Sequence, residues 1–374
     1  MIGVAGVTGT VGRRAVSVLA GLGAGPLRLG GRRPAELERI AATLPDASVH
    51  RLDLDDPESM DRFCSGCHTV LNCAGPSYLI LDALARAALR GGADYVDVSG
   101  DEPVHERLSV LGLASRRAVL SAGVLPGLSG LIPRWMAAGF DRVDALTTYI
   151  GGLERCSPGS ATDMILSMRG DSGDHYGQAL AGWRNGKIEV GVLRPVTDVE
   201  LPFFPDRVTL QPFFGGESER LASAIGAASM DFWNVFAGDR LLSAFTGMRG
   251  RPPWTDEEME AAVAELTRAA DLDMFGRLPY YALLFRMAGD VAGRHSVRTV
   301  ALRTEEAYRL IAVVAGLTTH AVAEGRIPPG VHYAADVLDP ETVIDGVRHS
   351  GALAAFEVID DLDMGADLMD EGAL

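Results

Sequence analysis

Positive charge is what this sequence has least to spare. Lysine and arginine number 34 against 50 aspartates and glutamates, a formal net charge of −16. A nucleic-acid partner is therefore not expected, because phosphate backbones are bound by basic surfaces. No stretch reaches the roughly 18 unbroken apolar residues of a membrane-spanning helix, so no membrane partner is expected either. A secretory leader would begin basic and run apolar to a small-residue cleavage site. Met1 instead leads straight into Ile2-Gly-Val-Ala-Gly6, read here as a strand and a glycine turn. The expectation is a cytoplasmic protein whose four cysteines stay reduced.

What is present fits a globular enzyme-sized chain. The 374 residues, 47% apolar and 22% charged, suffice for two domains with packed cores. The stretch 356–374 is strongly acidic and is expected to be a solvated, mobile tail.

One motif is set aside. Cys64-Ser-Gly-Cys67-His68 has the spacing of a haem attachment site, and its first four residues that of a redox dithiol. Haem attachment of this kind belongs to exported proteins. A redox dithiol opens a helix, where the dipole lowers a thiol pKa. This segment closes a helix, with Gly66 as its terminating residue. No other Cys/His cluster has ligand spacing, so no metal is expected.

From residue 1 to about 122, short apolar runs alternate with helical patterns. Strands are expected at Ile2–Ala5, Pro26–Gly30, Ser48–Leu52, Thr69–Asn72, Tyr95–Val98 and Ala118–Ser121. Helices are expected at Val11–Leu22, Pro34–Thr43, Pro57–Phe63, Leu79–Arg90 and Pro103–Arg116. Strict alternation predicts an α/β fold: a doubly wound parallel sheet with helices on both faces. Asp56-Pro57 reads as an N-cap with proline at the first helical position.

The first turn of this pattern, Gly6-Val-Thr8-Gly9-Thr10-Val11-Gly12, lies between strand and helix. Glycines there permit a tight turn, close approach of main chain to a pyrophosphate, and close helix–strand packing. The helix N-terminus adds free N–H groups and a positive dipole end. The end of the second strand selects the dinucleotide. An acid there bonds the ribose of NAD, whereas a basic residue receives the 2′-phosphate of NADP. The sequence has Gly30-Gly31-Arg32-Arg33-Pro34, so NADP is expected, with NAD as second choice. Asp53 and Leu54 follow the third strand and are placed for the adenine, although Asp53 reads as well as a surface turn residue. Asn72, Ala74, Gly75 and Pro76 end the fourth strand, where the main chain would pass close to the cofactor. Ser99, after the fifth, completes the candidate cofactor-binding set.

With these residues in hand, the chain resembles the saccharopine dehydrogenase-like oxidoreductases, including the lysine 6-dehydrogenase branch. The opening loop carries the likeness, as do Val70-Leu-Asn-Cys-Ala-Gly-Pro76, Ala93-Asp-Tyr-Val-Asp-Val-Ser-Gly-Asp101 and Ala122-Gly-Val-Leu-Pro-Gly-Leu-Ser129. Beyond residue 130 it is more diffuse: Tyr149-Ile-Gly-Gly-Leu153, Tyr176, Trp183-Arg-Asn-Gly-Lys-Ile-Glu189 and Glu324-Gly-Arg-Ile-Pro-Pro-Gly-Val331. The resemblance implies a Rossmann domain over residues 1–130 that is rejoined over about 326–355. Between them, 131–325 would form an inserted α+β domain for substrate and dimerisation. Strand-like runs at Thr147–Ile150, Ile188–Val192 and Val208–Leu210 fit that insert, while 216–325 reads as mostly helical, its clearest helix capped by Thr255.

The reaction implied is hydride transfer at an imine or amine C–N bond of an amino-acid-like molecule, by a homodimer. Asp101, His105 and Tyr176 are the candidate proton-handling residues, and Tyr78 and Arg184 the candidate substrate contacts. Asp101 fits equally as a helix cap. Two other readings stand beside this one: a trans-acting enoyl or keto reductase on a carrier-bound or polyketide-like substrate, and a non-catalytic NADP-binding sensor or partner subunit.

Overall fold

A computed structural model describes residues 1–167, 177–248 and 255–362. The chain divides into two compact units, one of Met1–Leu131 with Tyr308–Ala352 and one of Ile132–Ala307 with Leu353–Leu374.

The first unit follows the expected alternation. Its elements are β1 (Ile2–Ala5), α1 (Thr10–Gly21), β2 (Leu27–Gly31), α2 (Pro34–Ala41), β3 (Ala47–Arg51), α3 (Pro57–Cys64), β4 (Thr69–Asn72), α4 (Ser77–Ile80), α5 (Ala83–Arg90), β5 (Asp94–Asp97), α6 (Glu102–Ser109) and β6 (Arg117–Leu120). In α7 (Leu128–Ala137) the chain passes into the second unit. The sheet has seven strands, completed by the late strand β16 (Gly330–Tyr333), in the order β16-β6-β5-β4-β1-β2-β3. Every pairing in it is parallel. This is the doubly wound Rossmann arrangement. β4, at its middle, and β1 beside it are buried at all four positions, as strands covered by helices on both faces must be. Asp56 caps α3, accepting from the Glu58 N–H, with Pro57 at the first position. One expected helix is two: between α4 and α5, Leu81 takes a positive φ of 48° and breaks the run 79–90.

The second unit holds β7 (Arg142–Leu153), α8 (Pro158–Ser167), β8 (Gln178–Ala179), β9 (Ala181–Arg184), β10 (Lys187–Val190), β11 (Val196–Val199), β12 (Val208–Phe214), α9 (Gly216–Ala224), β13 (Ser229–Phe236), α10 (Asp239–Gly247), α11 (Asp256–Asp273), β14 (Tyr280–Val291) and β15 (Arg294–Thr304). With a late tenth strand, Ala355–Asp360, these strands build a mixed sheet in which β7 runs parallel to β13 and antiparallel to β14. Thr255 and Glu258 close a reciprocal capping box on α11. The mostly helical expectation for 216–325 is corrected here: β13, β14 and β15 are long strands. Tyr280-Tyr-Ala-Leu-Leu-Phe-Arg-Met-Ala288 is an apolar run whose period alone does not separate a buried strand from a helix. Its pairing on both sides, with β7 and β15, decides for the strand.

The return to the first unit begins earlier than residue 326. Helix α12 (Ala307–Ala323) lies largely within the stretch that closes the first unit. Gly316 faces Val18 of α1 so closely that a Cβ would sit 2.5 Å from its Cγ1. The helices α13 (Ala334–Val337) and α14 (Pro340–His349) follow β16. The tail expectation is corrected at its start as well. Ala355–Asp360 form β17, an edge strand paired with β15 from Arg298 to Arg303. Residues 363–374 lie outside the described residues. Among the described residues, no helix is long and apolar enough to cross a membrane.

Candidate functional site

The candidate site gathers at the carboxyl ends of β1, β2, β4 and β5, where ligands of open α/β sheets bind. Gly6 leaves β1 with φ +76°, a conformation L side chains resist. A Cβ on it would lie 2.6 Å from the Ala74 main-chain nitrogen, after β4. At Gly12 a Cβ would fall 2.3 Å from the Gly6 carbonyl oxygen, so the first turn of α1 packs directly on the end of β1. The Gly9 N–H donates to the Gly6 carbonyl at 2.9 Å and closes the turn. Gly9 is the N-cap of α1, with no side-chain cap bond, which leaves the opening N–H groups of the helix to a ligand. Thr10 and Val11 form that opening turn, and Thr8 sits 3.7 Å from where a Gly31 Cβ would be. A cradle this tight, closed to any Cβ yet open at its amide end, fits a pyrophosphate.

After β2, Arg32 and Arg33 are both exposed. Arg33 caps the N-terminus of α2 by position and pairs with Glu36 at 3.0 Å. No ion pair of Arg32 is found among the described residues. The residues present therefore fit a 2′-phosphate: both residues between β2 and α2 are arginines, and the first acid after the strand is Glu36, in the opening turn of α2. Asp53 is half-buried, pairs with Arg51 at 3.6 Å and accepts from the Asp55 N–H. Leu54 packs against the core beneath it.

At the β4 and β5 ends a buried polar cluster lies where sequence reasoning placed only a turn. Asn72 donates to Asp97 Oδ2 at 2.9 Å and accepts from the Ala74 N–H at 3.0 Å. The same Asp97 oxygen accepts from the Tyr95 hydroxyl at 2.5 Å, and Oδ1 accepts from the Ser99 N–H at 2.9 Å. Burial raises the Asp97 carboxyl above its ordinary value, against the pull of these donors. Burial and the Asp97 charge push the neighbouring Cys73 thiol up as well. Tyr95 and Asp97 were missed. The available signal was polar side chains at i and i+2 in a central parallel strand, where an unbroken apolar run is the rule. Gly75-Pro76 is a cis peptide, and the turn leads into α4, which carries a half-buried Tyr78.

Of the three proton-handling candidates, Asp101 and His105 stand together at the start of α6. Asp101 is the N-cap of α6 by position, but its side chain makes no cap bond. Its carbonyl accepts from the His105 N–H at 3.1 Å. The His105 ring stacks on Tyr333 of β16 at 4.5 Å, a packing role beside any chemical one. Tyr176 lies outside the described residues. Arg184, in β9, donates to Asp231 at 2.7 Å and to two main-chain carbonyls, so its guanidinium already has a structural occupation within the second unit.

That unit contains one acid the sequence did not flag. Glu154 follows β7 and accepts from the Ala307 N–H at 3.2 Å. Burial lifts its carboxyl from 4.5 to about 7, with Glu306 adding to the rise and the Ala307 bond opposing it. Elsewhere in the unit, Asp144, Asp290 and His295 bring ligand atoms within 4.8 Å of one another. Arg142 already bridges the two carboxylates, at 2.7 and 2.8 Å, and supplies the counter-charge a cation would.

A parallel sheet with this glycine cradle defines a dinucleotide-binding domain. Residues 2–124 match the family model of the saccharopine dehydrogenase NADP binding domain. A curated relative, a probable mitochondrial saccharopine dehydrogenase-like oxidoreductase of Arabidopsis thaliana, is 34% identical over 119 residues. That match takes in 29% of this chain and spans about a quarter (26%) of the relative. Among solved structures, apo saccharopine dehydrogenase (L-Glu forming) from Saccharomyces cerevisiae is similar with a TM-score of 0.66 at 15% identity. That match covers 96% of this chain and 99% of that one, and the likeness is one of fold.

Proposed function

We infer that this chain is an NADP-dependent oxidoreductase of the saccharopine dehydrogenase-like group. Its reaction is hydride transfer at an imine or amine C–N bond of a small amino-acid-like substrate. The observation that carries the reading is the Gly6–Gly12 cradle, closed to side chains and open at the α1 amides, inside the stretch that matches the NADP binding domain family. Arginines rather than an acid after β2 support the phosphorylated cofactor.

The nicotinamide, when bound, supplies or accepts the hydride. The chain's share is to bind, orient and manage a proton. Gly6, Gly9 and the α1 amides receive the pyrophosphate, and Arg32 and Arg33 the 2′-phosphate. The Asn72–Asp97 pair holds the β4 and β5 ends, with Ala74 and Ser99, along the path of the dinucleotide. Asp101 is the residue proposed to hold the proton exchanged with the substrate nitrogen, with Tyr78 as a substrate contact. A homodimer in the cytoplasm completes the proposal.

The test is NADPH oxidation by the purified protein with imine-forming pairs, such as a keto acid with lysine, and with enoyl thioesters. Oxidation with the imine-forming pairs supports the reading. Oxidation with enoyl thioesters alone overturns the C–N assignment, and tight NADPH binding with no turnover on either panel overturns catalysis. Arg32→Ala should weaken NADPH binding by about tenfold or more, the value of a charge-assisted hydrogen bond, and leave NADH binding unmoved.

A further inference from the structure

Glu36 stands in the opening turn of α2, three residues past the arginine that begins that helix. Its two oxygens are taken by different cations. Arg13, from the start of α1, reaches Oε1 at 2.7 Å, and Arg33 reaches Oε2 at 3.0 Å. The carboxylate side chain is only 18% exposed, whereas Arg13 and Arg33 are 55% and 67% exposed. The acid thus lies beneath two guanidinium groups at the β2 end, and Arg32 next to it has no such partner among the described residues.

We propose that Glu36 is a specificity determinant of the nucleotide site: an internal anion that occupies Arg13 and Arg33 where the 2′-phosphate of NADP would otherwise engage them. This rests on the reading of the site as one for NADP. A carboxylate and a phosphate make the same demand on a guanidinium, a pair of forked N–H donors and a positive charge. An arriving phosphate must share or displace the Glu36 bonds, and it meets the repulsion of a like charge. With Glu36 ionised, three arginines present a net charge of two to the phosphate; without it they present three. NADH carries no 2′-phosphate and is indifferent to this difference. Glu36 therefore narrows the preference for NADPH over NADH that the arginines create, and leaves Arg32 as the first cation a phosphate meets.

The test is Glu36→Gln in the full chain, with NADPH and NADH dissociation constants measured by fluorescence titration at low and high salt. The expected result is NADPH binding tighter by about three- to tenfold, the scale of partly exposed ion pairs. NADH binding should change by less than about twofold, and the NADPH gain should shrink as salt screens the freed arginines. Glu36→Ala, which removes the acceptor entirely, should move NADPH affinity the same way. NADPH affinity unchanged or weaker relative to NADH in both variants overturns the proposal, and makes Glu36 a positioning residue for the arginines. If the unaltered protein binds neither nucleotide, the cofactor reading itself falls and the inference with it.

Discussion

Asn72 and Asp97 join the carboxyl ends of β4 and β5 through a 2.9 Å hydrogen bond between two buried side chains. Asp97 is also the acceptor for the Tyr95 hydroxyl and the Ser99 N–H. Removing it leaves those donors, with the Asn72 amide, without their acceptor. Each orphaned donor costs about 1–3 kcal/mol. Asp97→Ala is accordingly expected to lower the unfolding free energy by about 3 kcal/mol or more, and Tyr95→Phe by about 1 kcal/mol. Urea denaturation followed by circular dichroism checks both. An Asp97→Ala loss under about 1 kcal/mol would show that the cluster is not closed to solvent.

Two glycines of α1 should behave oppositely. Gly12→Ala drives a Cβ to within 2.3 Å of the Gly6 carbonyl oxygen, which is main chain and cannot swing aside. It is expected to cost several kcal/mol by overpacking and to abolish nucleotide binding. Gly21→Ala meets nothing within 4 Å. It should raise stability by about 0.5–1 kcal/mol, since alanine loses less entropy than glycine in a helix. Melting temperatures and NADPH titrations of the two variants give the comparison. Retained NADPH binding in Gly12→Ala would refute the cradle.

Glu154 gives a pH dependence with a definite sign. Its folded carboxyl titrates near 7 against 4.5 for the free group, chiefly through burial. Between these values the folded protein keeps a proton that the unfolded chain has lost, so stability falls as pH rises. The contribution is full below about 4.5 and gone above about 7. Glu154→Gln stays neutral and keeps an oxygen for the Ala307 N–H. The wild type is expected to lose stability relative to this variant from pH 5 to about 8. Parallel slopes in chemical denaturation over that range would exclude a perturbed Glu154.

The Cys64/Cys67 pair should be chemically quiet. Burial pushes the Cys64 thiol up to about 12, with Cys67 and Asp61 adding to the rise, and burial raises Cys67 too. Both are buried free thiols at the close of α3, and thiolate is the reactive form. Iodoacetamide at neutral pH is expected to leave both unmodified in the native protein and to label both after denaturation. Rapid native labelling of either, read by mass spectrometry, would reopen a redox role for the motif.

Much of the first unit was legible because its signals are local. A glycine turn between an apolar run and a helix, Asp56-Pro57 at a helix start, and arginines after the second strand depend on the chain within a few residues. β1 and β4 fall where the apolar runs placed them. Signals that depend on distant neighbours were not legible. Long apolar strands such as β14 carry no period that separates them from a buried helix, and only flanking partners on both sides make them strands. The early return at α12 is set by Gly316 lying against Val18, a contact across nearly 300 residues of chain.

The site divides along the same line. By itself, the sequence determined the nucleotide cradle and the sign of charge after β2, since these are properties of a turn and of residue type. Tertiary structure alone decided which acids matter. Asp97, Glu154 and Glu36 look in sequence like many of the 50 acidic residues. Desolvation, and at least one donor to each (Asn72, Ala307 and Arg13 respectively), come from elements distant in the chain, and those set whether a carboxylate is a surface charge, a buried clasp or a competitor for two arginines.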